Sequence, residues 1–370
     1  MLLLIKRKII EWLMSWFAKR SYAQKLPNNV NHIALWQLGG VGDMLLVTPV
    51  IEAVNHKYPN AQIDVWCSHP HFAKFLERFP QVQIKSAFSV DDFDARTLWE
   101  KKNRAALKDL LAEMSVQPYD LLMNLHVPAL LDWWAVEWWL LNIIKPRYAL
   151  GFNPDFLIDE SIFDVSMPAK QRKKMHYTKL YQALLEKADI NCGIATQFPI
   201  RQAETDSVKR LLEKAKVDAS SRLICLHIGG RRLKVENKMW SIDAFAQVAA
   251  HKIVDGFVPV LIGVTSEAEM GDALMKKVEG VVNLIGQTEL GEMAALIAQA
   301  DVFVGHDSGP FHIAVACGTA AVAICGRPDA EPEYLQYEQQ HVAVLTADTP
   351  DDIDVNQVLE AIKQTEAQLG

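Results

Sequence analysis

Short apolar runs alternate with longer amphipathic segments through most of the chain. We predict strands at the apolar runs, which are residues 33–37, 61–67, 121–125, 223–227, 258–263, 281–285, 302–304 and 320–324. We predict helices at the amphipathic segments, which are residues 43–57, 71–79, 98–114, 203–215, 242–254, 267–278, 290–298 and 353–369. Strands that alternate with helices imply parallel sheets covered on both faces. The sequence therefore predicts an α/β protein with doubly wound sheets.

This alternation is interrupted near residue 200, at Asn191-Cys192-Gly193 and Phe198-Pro199. A chain of 370 residues is also too long for one ordinary core and suits two domains. We predict a first α/β domain at residues 28–200 and a second at residues 201–345. A helix is predicted before them at residues 1–27, and another within residues 346–370.

The composition is that of a globular protein, with 50% apolar and 22% charged residues. The net charge is −7, although residues 1–25 carry six lysines and arginines against one acidic residue. The rest of the chain is therefore acidic, which argues against broad nucleic-acid binding. The five cysteines have no metal-ligand spacing, and three sit in apolar runs, which indicates a reducing compartment. We predict no membrane-spanning helix, because no run of about eighteen apolar residues occurs.

The first 22 residues combine helical apolar spacing with several cations. Apolar side chains recur at roughly helical intervals, at Leu2, Ile5, Ile9, Leu13 and Trp16. Such a helix is typical of a segment that lies on an anionic bilayer surface. A helix packed on its own protein is the alternative. A secretory signal fits less well, because cations break the apolar stretch and no small-residue cleavage site follows.

Residues 302–326 have the pattern of strand, tight turn, helix and strand. The turn Gly305-His306-Asp307-Ser308-Gly309-Pro310 is small and polar, and Gly318 suits the end of the following helix. Free N–H groups and the positive end of the helix dipole would converge at residues 308–312, which favours an anion such as a diphosphate. At the carboxyl end of a parallel strand, this turn would lie where ligands bind. A structural turn with Asp307 as a helix cap is the alternative.

Three further positions place one chemically active side chain near the start of a predicted helix. The glycine-rich turn before Asp43 lacks the third glycine of the dinucleotide fingerprint, so Asp43 either faces another kind of ligand or caps its helix. Lys238 precedes a tryptophan-led helix and could lie beside a diphosphate, although a solvated loop explains it as well. Glu267 could accept hydrogen bonds from two ribose hydroxyls or cap its helix.

Together these motifs resemble those of the heptosyltransferases of lipopolysaccharide core synthesis, glycosyltransferase family 9. The resemblance covers about residues 33–326 and rests on three motifs in order: Leu38-Gly39-Gly40-Val41-Gly42-Asp43, Lys238-Met239-Trp240 and Asp307-Ser308-Gly309-Pro310-x-His312-x-Ala314. It implies the GT-B architecture, in which two facing α/β domains enclose the active site. It also implies transfer of heptose from ADP-heptose with inversion, without a metal ion, and a C-terminal helix that packs back toward the first domain.

The resemblance assigns roles to single residues as well. It implies that Asp43 is the general base and that no cofactor besides the nucleotide-sugar donor is needed. The donor-binding residues that it implies are Lys238 for the diphosphate, Glu267 for the ribose, Thr288 near the adenine, and Asp307, Ser308, Gly309 and His312 for the sugar and phosphates.

The acceptor side is less clearly marked. Asn124 and His126 follow a predicted strand end and are expected to contact the acceptor. The aromatic cluster at residues 131–139 is expected to lie partly in the core and partly against the N-terminal helix or lipid. A lipid-linked saccharide acceptor would explain both features. It predicts a protein of the bacterial cytoplasm that is peripheral to the inner membrane.

Two Asp-x-Asp pairs have the spacing of a metal site, Asp92-Phe93-Asp94 and Asp352-Ile353-Asp354, but neither follows a buried strand. We therefore predict that no metal is bound. Three other functions stay open at this point: a transferase with another sugar, or with a capsule or protein acceptor, an epimerase that acts on a nucleotide sugar, and a non-catalytic protein that binds one.

Overall fold

The computed structural model describes residues 26–87, 101–116, 118–127, 141–142, 144–153, 163–169, 171, 175–230, 239–326, 335 and 337–369. The chain forms two compact units that divide between Ala195 and Thr196. The predicted helix at residues 1–22, the aromatic cluster at 131–139, Lys238 and the Asp92-Phe93-Asp94 pair lie outside the described residues. No described helix is both long and apolar enough to cross a bilayer.

The first unit is built on a six-stranded sheet in the order β3-β2-β1-β4-β5-β6. Its strands are β1 His32–Trp36, β2 Gln62–Cys67, β3 Val82–Ser86, β4 Leu121–Asn124, β5 Tyr148–Asn153 and β6 Val165–Pro168. Its described helices are α1 Val41–Leu46, α2 Thr48–Lys57, α3 Pro70–Ala73, α4 Lys101–Met114 and α5 Tyr177–Glu186. Every strand pairs in parallel, and Ile33 of β1 lies opposite both Ile63 of β2 and Leu121 of β4.

The second unit is built on a six-stranded sheet in the order β12-β11-β10-β7-β8-β9. Its strands are β7 Arg222–His227, β8 Phe257–Leu261, β9 Val282–Asn283, β10 Val302–His306, β11 Ala320–Cys325 and β12 Val342–Thr346. Its described helices are α6 Gln202–Lys214, α7 Ile242–Val254, α8 Ala268–Met275, α9 Leu290–Gln299, α10 Gly309–Cys317 and α11 Val355–Glu366. This sheet is also entirely parallel.

Counted within its own unit, each sheet has the order 3-2-1-4-5-6, which is the doubly wound arrangement. The first and fourth strands are neighbours in such a sheet, and the chain leaves them in opposite directions. A crevice therefore opens at their carboxyl ends, beside β1 and β4 in the first unit and beside β7 and β10 in the second. The predicted fold class is confirmed.

Apolar side chains from the strands and the covering helices form the core of each unit. Strand β11 is buried over its whole length because helices cover the sheet. Helix α11 places Val358, Ala361 and Ile362 in the core of the second unit. Trp240 fixes the same region, because its indole N–H donates a hydrogen bond to the carbonyl of Ile353 at 3.0 Å. The expected packing of the C-terminal helix toward the first unit stays a prediction.

The segment predicted as one helix at residues 43–57 is two helices. Helix α1 ends at Leu46 and α2 begins at Thr48, with Pro49 in its first turn. Proline has no N–H, so it cannot donate to the carbonyl of Leu45 four residues earlier. The hydroxyl of Thr48 donates to that carbonyl instead, at 2.7 Å. The prediction of a single continuous helix was therefore wrong, because Thr48-Pro49 interrupts it.

Charged side chains hold the amino-terminal edge of the second sheet. Arg222 at the start of β7 and Lys252 of α7 both lie over the ring of Phe257, with the guanidinium carbon at 3.8 Å and the ammonium nitrogen at 3.9 Å from its centroid. Glu366 at the end of α11 accepts a hydrogen bond from Arg222 at 2.6 Å and lies 3.6 Å from the ammonium of Lys252. These contacts fasten α11 to the edge opposite the crevice.

Candidate active site

A glycine pair follows the first strand of each unit and lies at its crevice. In the first unit Gly39 and Gly40 connect β1 to α1, which carries the half-buried Asp43. The Asp43 carboxylate accepts a hydrogen bond from the N–H of Gly40 at 2.8 Å. A Cβ atom built at Gly39 would lie 2.1 Å from Cγ of Asp43, whereas one at Gly40 would meet nothing within 4 Å. The carboxylate thus occupies the space that a side chain at Gly39 would need.

The second unit repeats this arrangement with another carboxylate. Gly229 and Gly230 follow β7, and a Cβ atom built at Gly229 would lie 1.9 Å from Oε1 of Glu267. Oε2 of Glu267 accepts a hydrogen bond from the N–H of Val264 at 2.9 Å. Burial by itself raises the pKa of Glu267, but His227 and the N–H groups of Val264 and Gly230 favour the charged form and bring the pKa below its usual value. Glu267 is therefore ionised at neutral pH.

Asp43 and Glu267 also cap their helices, which was the alternative interpretation of each residue. Each belongs to a capping box at the start of its helical segment, in which its carboxylate accepts from a backbone N–H three residues earlier. A carboxylate has about four acceptor positions, so a capping bond does not by itself exclude a ligand. Capping and ligand binding are thus compatible at both residues.

Gln37 connects the Asp43 turn to the end of β4. Its carbonyl oxygen accepts from the N–H of Gly39 at 3.1 Å and lies 3.4 Å from Nδ1 of His126. Its amide nitrogen donates to the hydroxyl of Tyr181 at 3.1 Å and to the carbonyl of Leu125 at 3.2 Å. Tyr181 is fully buried, and burial raises its pKa, so it remains a neutral phenol. Buried hydrogen bonds therefore fix the turn that carries Asp43.

The two predicted acceptor residues lie at this same crevice. Asn124 is the last residue of β4, opposite Trp36 of β1, and its side-chain oxygen accepts from the N–H of His126 at 3.1 Å. The side-chain nitrogen of Asn124 is buried and has no hydrogen-bond partner within the part of the chain that the structure describes. Such a donor is costly unless something accepts from it. The structure therefore places Asn124, His126 and Asp43 in one region of the first unit.

Helix α10 begins at the crevice of the second unit. Ser308 is its N-cap, Gly309 and Pro310 form its first turn, and Gly318 ends it with φ of 75°. The hydroxyl of Ser308 does not cap the helix; it donates to the carbonyl of His306 at 3.1 Å and lies 3.2 Å from Nδ1 of His227. No acidic residue lies in the first turn, so the positive end of the helix dipole is available to an anion.

His227 joins the two halves of the donor region. Its Nδ1 lies 3.2 Å from the Ser308 hydroxyl, and its Nε2 lies 3.6 Å from Oε2 of Glu267. Only 6% of its side chain is exposed, so these two contacts account for both ring nitrogens. The predicted ribose residue and the predicted phosphate residue are thus held by one imidazole at the end of β7.

His306 forms hydrogen bonds to the residues that flank the segment 231–238. Its Nε2 accepts from the N–H of Trp240 at 2.8 Å, and its Nδ1 lies 2.9 Å from the carbonyl of Gly229. The carbonyl can only accept, so the proton is on Nδ1 and the ring is neutral. Burial lowers the pKa of His306 to about 4, in agreement with this assignment. Lys238 lies outside the described residues, and Trp240 is held beside β10 by the hydrogen bond to His306.

The remaining predicted donor residues follow β9 and β10, at the carboxyl ends of strands in the same sheet. His312 is on α10, 4% exposed, and its Nε2 lies 3.8 Å from a carboxylate oxygen of Asp307. Thr288 lies between β9 and α9, and its buried hydroxyl has no partner among the described residues.

The Asp352-Ile353-Asp354 pair is used in capping, since Asp352 accepts from Thr349 and Asp354 caps α11. No group of three potential metal ligands occurs among the described residues.

Comparison with known proteins identifies the family. The sequence model of Glycosyltransferase family 9 (heptosyltransferase) matches residues 138–357, more than half of the chain. The chain belongs to glycosyltransferase family 9. It is 25% identical over 299 residues to lipopolysaccharide heptosyltransferase 3 of Escherichia coli (strain K12), a match that covers 78% of this chain and 80% of that protein.

Solved structures of two other proteins show the same fold. The family 9 protein of Veillonella parvula DSM 2008 matches with a TM-score of 0.74 and 20% identity, over 93% of this chain and 99% of that one. The E. coli heptosyltransferase WaaC, solved with ADP and with ADP-2-deoxy-2-fluoro heptose, matches with a TM-score of 0.63 and 16% identity, over 90% of this chain and 99% of that one. These matches confirm the predicted GT-B fold of two doubly wound α/β units. The family model confirms the predicted glycosyltransferase class.

Sequence reasoning missed four residues of this glycosyltransferase that hold the predicted ones in place. These residues are Gln37, Tyr181, His227 and Tyr337. Gln37 and His227 were detectable as the polar ends of apolar strands. Tyr181 lies in an amphipathic stretch with buried positions at 177, 180, 181, 184 and 185, which predicts a helix. Tyr337 lies outside any periodic segment and carried no signal.

Proposed function

We propose that the protein is an inverting heptosyltransferase that transfers heptose from ADP-heptose to a lipopolysaccharide or lipooligosaccharide core acceptor, without a metal ion. Family membership supports the sugar-transfer chemistry. The ADP of the donor is supported by the WaaC structures, and the acceptor by the name of the E. coli K12 relative. The observation that carries the proposal is the chemistry of the two crevices: one presents a carboxylate, and the other a helix start suited to a diphosphate.

In this mechanism Asp43 accepts the proton of the acceptor hydroxyl as that oxygen attacks the anomeric carbon. The bond from that carbon to the diphosphate breaks on the opposite face, which inverts the configuration. The leaving diphosphate is stabilised by the start of α10, with Ser308, Gly309 and His312, and by Lys238. Glu267 accepts hydrogen bonds from the ribose, Asp307 binds the heptose, and Thr288 lies near the adenine.

Asn124 and His126 are the acceptor contacts in this proposal, because they lie at the crevice that holds Asp43. The side-chain nitrogen of Asn124, which has no partner among the residues that the structure describes, is a donor suited to a sugar hydroxyl or carboxylate. Residues 1–22 are proposed to bind an anionic membrane surface, which would bring the enzyme to a lipid-linked acceptor at the inner leaflet. Deletion of residues 1–22 should move the protein from the membrane fraction to the supernatant, and an unchanged distribution would contradict this part.

Release of ADP tests the transfer directly. Purified protein should release ADP from ADP-heptose only when a core acceptor is present, and it should do so in excess chelator. Conversion of the donor without an acceptor would indicate an epimerase instead. Binding without turnover for any acceptor would indicate a non-catalytic protein. Capsule and protein acceptors, and other nucleotide sugars, belong in the same assay.

Replacement of Asp43 tests the catalytic assignment. Asp43→Asn keeps the size of the side chain but cannot take a proton, so turnover should fall about 10²- to 10⁴-fold while ADP affinity is retained. Asp109→Asn, which removes an exposed carboxylate of α4 in the same unit, is the matched control and should retain turnover. Near-normal turnover of Asp43→Asn would remove Asp43 from the role of base.

A further inference from the structure

The two ring nitrogens of His312 have different neighbours. Nδ1 lies 2.8 Å from the hydroxyl of Tyr337, and Nε2 lies 3.8 Å from a carboxylate oxygen of Asp307. The ring itself is buried in the first turns of α10. Tyr337 packs against this part of the helix, because its ring centroid lies 5.9 Å from that of His312 and 6.1 Å from that of Phe311.

A neutral imidazole carries one N–H, so its two nitrogens cannot both donate. Burial lowers the pKa of His312 to about 4, so the ring is neutral at pH 7. A tyrosine hydroxyl can donate or accept, whereas an ionised carboxylate can only accept. A proton on Nε2 faces the acceptor Asp307, and Nδ1 then accepts from Tyr337. A proton on Nδ1 would instead direct the lone pair of Nε2 toward a carboxylate, which is unfavourable.

We propose that Tyr337 is a positioning residue, which donates a hydrogen bond to Nδ1 in the tautomer that Asp307 selects and so holds the His312 ring with its Nε2–H directed toward Asp307 and the anionic oxygens of a bound donor. This inference rests on the proposed function, because it supplies a charge-stabilising donor for the leaving diphosphate. The N–H of a neutral histidine stabilises developing negative charge only if it is on the nitrogen that faces the anion. Tyr337 lies outside the motifs that identified the family.

The tautomer is measurable without any turnover. In ¹⁵N-histidine-labelled protein, the chemical shifts of the His312 nitrogens distinguish an Nε2–H ring from an Nδ1–H ring. The His312 signal is assigned by its absence in His312→Gln. We expect the Nε2–H form in the wild type, because Asp307 can only accept. In Tyr337→Phe we expect the same tautomer with a shifted Nδ1 resonance, because the lone pair of Nδ1 loses its hydrogen-bond donor. An Nδ1–H ring in the wild type overturns the proposal, whatever the protein transfers.

Kinetics then separate positioning from a structural role. Loss of one correctly placed donor hydrogen bond should lower kcat of Tyr337→Phe about tenfold, with the donor KM and the melting temperature nearly unchanged. The matched control is Tyr58→Phe, which removes a tyrosine hydroxyl that donates to Pro27 in the first unit at 3.1 Å. It should change neither kcat nor the His312 signal.

Two results for Tyr337→Phe overturn the proposal. One is an unchanged Nδ1 resonance, and the other is a shifted Nδ1 resonance with unchanged kcat. If the wild type binds ADP but transfers no heptose to any acceptor, the proposed function fails, while the Nδ1 resonance still decides whether Tyr337 holds His312.

Discussion

Replacing Gly39 by alanine should disable the proposed base without touching Asp43 itself. The new methyl carbon would lie 2.1 Å from Cγ and 2.2 Å from Oδ2 of Asp43. Carbon atoms pack at about 3.5–4.0 Å, so the carboxylate must move by more than about 1 Å. That movement also disturbs the hydrogen bond from the N–H of Gly40. A misplacement of about 1 Å can reduce a rate about 10²-fold, so kcat should fall by at least that factor.

The neighbouring glycine provides the matched control. A Cβ atom at Gly40 meets nothing within 4 Å, and its φ of −83° is open to any residue, so Gly40→Ala should remain close to wild type. Both variants are assayed for ADP release with ADP-heptose and acceptor, and for ADP affinity, which should be unchanged because the donor residues lie in the second unit. Overpacking costs about 1–3 kcal/mol, so the melting temperature is recorded as well. A kcat of Gly39→Ala within about threefold of wild type, or an equal loss in Gly40→Ala, would refute the reasoning.

Three further predictions concern the second unit. Gly229→Ala should displace Glu267 and raise the donor KM. Gly230→Ala should not, because its Cβ atom would make only an ordinary contact at 3.7 Å. Equal KM values for the two variants would contradict this. Burial lowers the pKa values of His306 and His312 to about 4, so the unfolded chain binds protons below pH 6.5 that the folded chain does not. The free energy of unfolding should therefore fall by up to about 1.4 kcal/mol per pH unit for each histidine between pH 6.5 and 4. Urea titrations that give the same free energy of unfolding at pH 7 and pH 5 would contradict this. Glu366→Gln should lower the stability by about 1–3 kcal/mol in the same unfolding assay and leave the donor KM unchanged; an altered KM would show that α11 also supports the site.

The fold was readable from the sequence where strands form continuous apolar runs. Strands β1, β7, β10 and β11 were predicted because they are buried from both sides and read as continuous apolar runs. Strands β3, β5, β6 and β12 were missed. Strand β5 was missed although it is buried throughout, because Gly151 interrupts its short apolar run. Residues of β3 are largely half-buried or exposed, and β12 has no fully buried residue, so neither shows a strong pattern.

The candidate site was readable where a residue type alone suggests its chemistry. Asp43 and the Ser308 turn stand at helix starts after strands, so their place at the crevice followed from the topology. The roles of His227 and Tyr337 could not be predicted. His227 depends on partners that lie 40 and 81 residues away in the chain, Glu267 and Ser308. Tyr337 contacts His312 from a part of the chain without periodicity. Hydrogen-bond partners set by the tertiary fold leave no local signal.

Stability and substrate preference depend on opposite edges of the second sheet. The first depends on the cluster of Arg222, Lys252, Phe257 and Glu366. It stabilises the second unit at the amino ends of its strands, while His227, His306 and Ser308 gather at the carboxyl ends. Tolerance to heat can therefore be raised by improving the contacts of the last turn of α11 with the sheet, and substrate preference can be altered at the other edge. A selection for thermostable variants should accumulate changes at the first edge and leave the second untouched.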